Sequence, residues 1–233
     1  MKRKEWEKMS FNIAIDGPAG AGKSTIAKKV AEKIGFIYVD TGAMYRAIAL
    51  YFLKHQISIE DEKRVQQACQ EIQISITYTN NEQQVLLNGE NVTTQLRAEA
   101  VGNMASIVAA NADVRVALLE LQRNLARSAD SLMDGRDIGT NVLPKAQLKI
   151  YLTAAVSTRA KRRHLELLEK GVKSRIEEVE MDIKQRDYQD MNRSVAPLRQ
   201  AADAVLVDSS SLGIDEVVEH IINLYQQRSG KSR

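Results

Sequence analysis

One short run constrains this chain more than any other: Gly17-Pro18-Ala19-Gly20-Ala21-Gly22-Lys23-Ser24-Thr25, which reads G-x-x-x-x-G-K-S. Its setting suits its chemistry. Residues 11–16 before it are a short apolar run fit for a buried parallel strand. Behind it, Ile26, Ala27, Val30, Ala31 and Ile34 recur at helical spacing, and Gly35 supplies a stop. Strand, glycine loop and helix make a phosphate cradle, because successive backbone N–H groups and the positive helix end face the same anion. All nine residues are expected to bind a nucleoside triphosphate, ATP in the simplest case. Lys23 would reach the β- and γ-phosphates and Ser24 would hold Mg²⁺.

The 233 residues suffice for one large α/β domain with insertions. A formal charge of +3 is too small to argue for a nucleic-acid partner. The one cysteine, Cys69, excludes an internal disulfide, suits a reducing compartment and reads as a half-buried helix residue. No membrane span or secretory segment is evident, so a cytoplasmic monomer is expected. Residues 1–10 read as a flexible tail, with Met9 an alternative start.

Five apolar runs have core-strand character: 11–16, 36–40, 131–134, 147–152 and 203–208. Helical patterns separate them, which calls for a five-stranded parallel sheet with helices on both faces. Asp16, Asp40, Asp134 and Asp208 lie at strand ends, where ligands of such sheets collect and where aspartates also cap turns. Capping is the better role for Asp208.

Two stretches depart from this rhythm. Residues 57–128 exceed a simple crossover and read as a small mixed α+β insert. Within it, 72–79 alternates strictly and 84–92 is strand-like, with Asn80-Asn81-Glu82-Gln83 as the hairpin connection. Asp113 then opens a helix whose apolar face carries Val114, Ala117, Leu118, Leu121 and Leu125. The second departure, a charge-dense helical segment after Ser157, contains Arg159, Lys161, Arg162 and Arg163, then Arg186, Asp190 and Arg193. The i, i+4, i+7 spacing of the last three puts them on one helix stripe, either an ion-pair ladder or a grip on a ligand.

A phosphate loop serves GTPases, mechanical ATPases and small-molecule kinases alike. No N-K-x-D segment marks guanine, and a mechanical ATPase usually needs more chain. The size and the two insertions favour a kinase that closes over two substrates and excludes water. An acceptor that is already an anionic phosphate needs no general base. That fits a chain whose three histidines, His55, His164 and His220, all suit surface or packing roles.

The acceptor side is carried by Asp40-Thr41-Gly42-Ala43-Met44-Tyr45-Arg46 and Asp134-Gly135-Arg136-Asp137-Ile138-Gly139-Thr140. With the glycine loop and the segment from Arg186-Asp187 to Pro197-Leu198, these runs resemble the bacterial cytidylate kinases, within the P-loop nucleoside monophosphate kinases. That family carries G-P-x-G-x-G-K-[GST], D-[ST]-G-A-x-Y-R, D-G-R-D-x-G-T and R-D-x-x-D-x-x-R-x-x-[AS]-P-L in the same order. The likeness runs from about Asn12 to the last helix. Thr41 stands where serine is also common, which keeps the hydroxyl.

The resemblance implies ATP-dependent phosphorylation of CMP or dCMP to the diphosphate. Arg46, Arg136 and Arg193 would grip the acceptor phosphate, a task that suits the planar guanidinium fork. Ser106, Arg115 and Asp137 would read cytosine and reject uracil, whose donor pattern is reversed at N3 and C4. Thr41, Tyr45, Arg186 and Asp190 would meet the sugar. Lys23, Arg136, Arg193 and Arg159 would stabilise the transferring group. Arg159 belongs to a helical lid at 155–185, whereas Lys161 and Arg162 suit ordinary surface charge. The implied layout is a kinase core at 11–56 and 129–228 with a monophosphate-binding insert at 57–128.

Overall fold

The computed structural model describes residues 10–80, 82–169 and 171–230. The expected tail, Ser10 apart, and the alternative start at Met9 lie outside the described residues. Five parallel strands form the main sheet: β1 (Asn12–Asp16), β2 (Ile37–Asp40), β6 (Ser131–Gly135), β7 (Leu148–Thr153) and β8 (Val205–Asp208). Their order is β2-β6-β1-β7-β8.

Alternation along β1 assigns the two faces. Ile13 and Ile15 join Leu132, Leu148, Ile150 and Leu152 beneath α1 (Lys23–Ile34) and α8 (Ile214–Ser229). Ala14, between them, turns the other way to join Val39 and Met133 against α2 (Thr41–Lys54) and α5 (Ala112–Ser128). Each large side chain so buried is worth about 1.5–3 kcal/mol. The expected parallel sheet with helices on both faces is thus present.

Register brings the polar strand ends level. Asp16 pairs with Gly135 and Tyr151, and Asp40 with Asp134. At the opposite end, Phe11, Phe36 and Tyr225 form a ring cluster with centroids 5.2–6.1 Å apart. Helix α1 stops where expected: Gly35 is left-handed at φ 74° and its N–H bonds to the Ala31 carbonyl.

Between α2 and α5 lie α3 (Glu62–Glu71), an antiparallel sheet of β3 (Ile74–Thr79), β4 (Glu82–Leu87) and β5 (Glu90–Asn91), and α4 (Glu99–Val108). Four expectations are corrected here. Thr79 pairs with Glu82, so the hairpin connection has two residues, 80–81, rather than four; residue 81 lies outside the described residues. The run 84–92 is two strands, split by Asn88 (φ 50°) and Gly89 (φ 84°), both left-handed as a primed hairpin turn demands. On α5, Asn111 rather than Asp113 is the N-cap, accepting from the N–H groups of Asp113 and Val114. The buried face of α5 runs through Val114, Arg115, Leu118, Gln122 and Ala126, while Ala117 is exposed.

The hairpin is fastened to β2. Gln83 Oε1 accepts from the Asp40 N–H at 2.8 Å, and its Nε2 donates to the Asp40 carbonyl at 3.2 Å. Helices α6 (Val156–Glu169) and α7 (Ile176–Asn192) pack on each other around Ala160, Val179 and Ile183. Cys69 is half-buried on α3, as expected. Among the described residues, no helix is long and apolar enough to cross a membrane.

Candidate active site

The glycine loop leaves β1 and enters α1 over the carboxyl edge of the sheet. Gly17 has φ 153°, and a Cβ there would lie 1.9 Å from the Leu152 carbonyl oxygen, so only glycine fits. Gly22, left-handed at φ 81°, is the N-cap and supplies no side-chain cap. The first N–H groups of α1 are therefore free to meet an anion. Lys23 is 6% exposed, and its Nζ donates to the Pro18 carbonyl at 2.8 Å. Burial, and next the positive charge of Arg136, pull its pKa down to about 7, against the opposing pull of Asp134, Asp190 and Asp16.

Two strand-end carboxylates flank this lysine. Asp16 accepts from the N–H groups of Ile138 and Gly139, both at 2.7 Å. Asp134 accepts from Ser24 Oγ at 2.9 Å and from the Tyr38 hydroxyl at 3.0 Å. Burial raises each to about 6, with the negative charge of Asp40 adding to the effect on Asp134. The third carboxylate, Asp40, caps α2 by accepting from the Ala43 N–H at 2.9 Å. Asp208 binds the N–H and hydroxyl of Ser210, the turn role expected of it.

Beyond β6 the motif residues converge. Asp137 is buried and ion-paired to Arg115 through Oδ2, while its Oδ1 accepts from Arg193 Nη2 at 3.3 Å. The Arg115 guanidinium lies 5.6 Å from the Tyr45 ring centroid, over its face. Arg136 Nε donates to Asp190 Oδ2 at 2.8 Å, and Asp190 also lies 3.9 Å from Arg193. Burial and the like charge of Arg115 lower the Arg193 pKa. Thr41 Oγ1 donates to the Asp134 carbonyl at 2.7 Å, which ties the start of α2 to the same strand end.

The other expected residues surround this cluster. Arg46 pairs with Asp40 at 3.7 Å. Ser106 is half-buried on α4, and on the same helix Asn103 accepts from Arg186 Nη2 at 2.7 Å. Arg186, Asp190 and Arg193 do not share one helix stripe, because α7 ends at Asn192 and Arg193 is extended at ψ 143°. Apart from the long 3.9 Å Asp190–Arg193 pair, their contacts run outward to Asn103, Arg136 and Asp137, so a continuous intrahelical ladder is not what they form. Arg162 differs from expectation too: it is half-buried and donates to Ser209 Oγ and to the Ser209 carbonyl. Arg159 is 4% exposed and bound to three separate elements.

Several residues beyond those the sequence singles out take part. Tyr38, Gln122, Asn103 and Asp187 each touch an expected site residue, and only Asp187 lies inside a motif. Gln122 had a legible signal: a polar residue seven positions after Arg115 on a helix face that is otherwise apolar. Tyr38 reads in the sequence as one more strand residue, and only the register of β2 against β6 places it beside Asp134.

A family model described as cytidylate kinase matches residues 13–227. A cytidylate kinase of Shouchella clausii is 49% identical over 219 residues, covering 94% of this chain and 97% of that protein. Another, from Caldicellulosiruptor bescii, is 49% identical over 215 residues, covering 92% and 95%. Among solved structures, an uncharacterized protein of Eubacterium ventriosum superposes with a TM-score of 0.53 at 14% identity, over 94% of this chain and 100% of that one, a likeness of fold alone. With its glycine loop, its Asp137-centred arginine cluster and a family match over nearly all of its length, this chain belongs to the cytidylate kinase family.

Proposed function

We propose that the protein transfers the γ-phosphoryl group of ATP to CMP or dCMP, giving ADP and CDP or dCDP, with Mg²⁺. The observation that carries this reading is the buried Arg115–Asp137–Arg193 triad beside the Arg136–Asp190 pair, across from Lys23. Each guanidinium is already turned inward by a carboxylate. A phosphate arriving between Arg136 and Arg193 meets preorganised donors and costs little reorganisation. Asp137 can accept the cytosine amino protons while Arg115 and Ser106 donate to the ring acceptors. Uracil has a carbonyl where that amino group stands, and two acceptors facing each other disfavour it.

The attacking oxygen belongs to a phosphate that is already ionised, so the chain's residues need only orient and neutralise. Lys23, Arg136 and Arg193 would share the charge that spreads over the transferring group's oxygens, and Arg159, already bonded to the Ala19 carbonyl, would join them from the lid. The site fits a divalent ion held mainly by nucleotide. Ser24 Oγ and Asp134 Oδ2 lie side by side, and among the described residues no cluster of three carboxylate, histidine or cysteine side chains forms a cage. Mg²⁺ commonly binds through one or two protein groups plus phosphates, and when bound it would neutralise phosphate charge. Residues 57–128 serve as the acceptor insert and 155–185 as the lid, residue 170 lying outside the described residues.

A panel of nucleoside monophosphates with ATP and Mg²⁺, followed by ADP release, tests the assignment. CMP and dCMP should turn over well ahead of UMP and AMP. Faster turnover of AMP or UMP would overturn it.

A further inference from the structure

Arg186-Asp187 opens the last sequence motif, and Asp187 is the member left without a task. It is 8% exposed, on the face of α7 turned toward the phosphate loop. Its Oδ2 accepts from Arg159 Nη2 at 2.6 Å. The same guanidinium donates through Nε to the Ala154 carbonyl and through Nη1 to the Ala19 carbonyl, both at 2.8 Å. Ala154 follows β7, Ala19 is in the phosphate loop and Asp187 is on α7. One arginine therefore bonds three elements. Contact behind the loop is close: a Cβ on Gly20 would stand 3.5 Å from Arg159 Cβ and 3.8 Å from Ile183 Cδ1.

From this geometry we propose that Asp187 is a positioning residue for the phosphate donor, holding Arg159 so that Arg159 in turn fixes the loop at Ala19. The proposal rests on the ATP-binding reading above and adds a residue to it. A guanidinium 4% exposed needs a countercharge, and Asp187 is the one carboxylate ion-paired to it among the described residues. Without that partner Arg159 has no reason to stay buried, and the Ala19 carbonyl loses its brace. The second carboxylate oxygen, Oδ1, is buried with no hydrogen-bond partner. Such an atom calls for an explanation. Here it leaves Asp187 a spare acceptor beside Arg159, so the ion pair can hold through small shifts of the guanidinium while Nη1 stays on Ala19.

Asp187 also sits beside Arg186 and three residues before Asp190, which pair with Asn103 and Arg136 on the acceptor side. One turn of α7 thus touches both halves of the site. Its donor-side member should affect ATP far more than the acceptor.

Titration calorimetry on the full chain, with ATP alone and with CMP alone, tests the proposal. Asp187→Leu should weaken ATP about tenfold and leave CMP within twofold. Asp187→Asn still offers Arg159 an oxygen but removes the countercharge, so its loss of ATP affinity should fall between the parent and Asp187→Leu. Arg159→Ala combined with Asp187→Leu should bind ATP no worse than Arg159→Ala alone. Unchanged ATP binding in Asp187→Leu, equal losses for ATP and CMP, or additive losses in the double variant would each overturn it. Should Asp187→Leu not fold, the cycle is run with Asp187→Asn and Arg159→Lys, and additivity there overturns the proposal equally. The parent protein's turnover of CMP with ATP is measured first: its absence counts against the phosphotransfer reading, whereas the variants alone decide the brace.

Discussion

The ammonium of Lys23 donates to the carbonyl oxygen of Pro18, 2.8 Å away in its own loop. The loop's cation is thus occupied by the loop itself until an anion replaces that carbonyl. Burial and the charge of Arg136 pull its pKa well below the ordinary 10.5, so the free lysine gives up its proton far more readily than a solvated one. Bound triphosphate favours the charged form.

ATP binding at pH 8 is therefore expected to take up a proton. Calorimetry in buffers of different ionisation enthalpy reads this directly, since the apparent binding enthalpy should change in proportion. Identical enthalpies in all buffers would refute it. Lys23→Ala should lose both the proton uptake and nearly all turnover while the circular dichroism spectrum is kept.

Asp137 supports two arginines, so Asp137→Ala leaves two buried cations without their shared partner and should destabilise the fold as well as the site. Asp137→Asn is the cleaner probe, because it keeps the shape and turns one acceptor into a donor. We expect the KM for CMP to rise about 10- to 100-fold, in line with the roughly 1.5–3 kcal/mol of a charged hydrogen bond. The KM for ATP should stay within threefold. Equal rises for both substrates would mark Asp137 as structural only.

Gly17→Ala drives a methyl group into the Leu152 carbonyl. The loop must shift away from β7, so ATP binding should be lost even where the protein still folds. A Gly17→Ala protein that binds ATP like the parent would show that the close approach is dispensable.

Gly89→Ala is the contrasting case. Its φ is +84°, yet a Cβ would meet nothing within 4 Å, so the cost is backbone strain alone. About 1–2 kcal/mol is expected, a fall in melting temperature of several degrees for a chain of this size. Both KM values should hold, and a change in the CMP value would mean that the β4–β5 turn reaches the acceptor.

Legibility in the sequence varied with how local the signal was. The glycine loop between strand and helix, the five core strands and the Gly35 stop depend on neighbours within a few residues, and all were readable. The Asn88-Gly89 turn was equally local, but Val85-Leu86-Leu87 before it and Val92 after it hid it inside one apparent strand. Arg115 illustrates the opposite limit. As a charged residue on a helix it suits the surface, yet it is 6% exposed because Asp137, 22 residues later, supplies its partner. No periodicity encodes such a pairing. Arg193 looked like the next step of a helix stripe, and only the end of α7 at Asn192 turns it toward Asp137. Asp16 and Asp134 were readable as strand ends, whereas the alignment that sets them beside Lys23 comes from β1 pairing with β6.

The ring cluster of Phe11, Phe36 and Tyr225 lies at the opposite end of the sheet from the phosphate loop. Edge-to-face rings close the foot of the sheet, while the strand tops crowd charged groups together. Substitutions in the aromatic foot should therefore show themselves in how much protein a cell accumulates, and those at the tops in how fast each molecule works. The two kinds of damage can arise and be repaired independently.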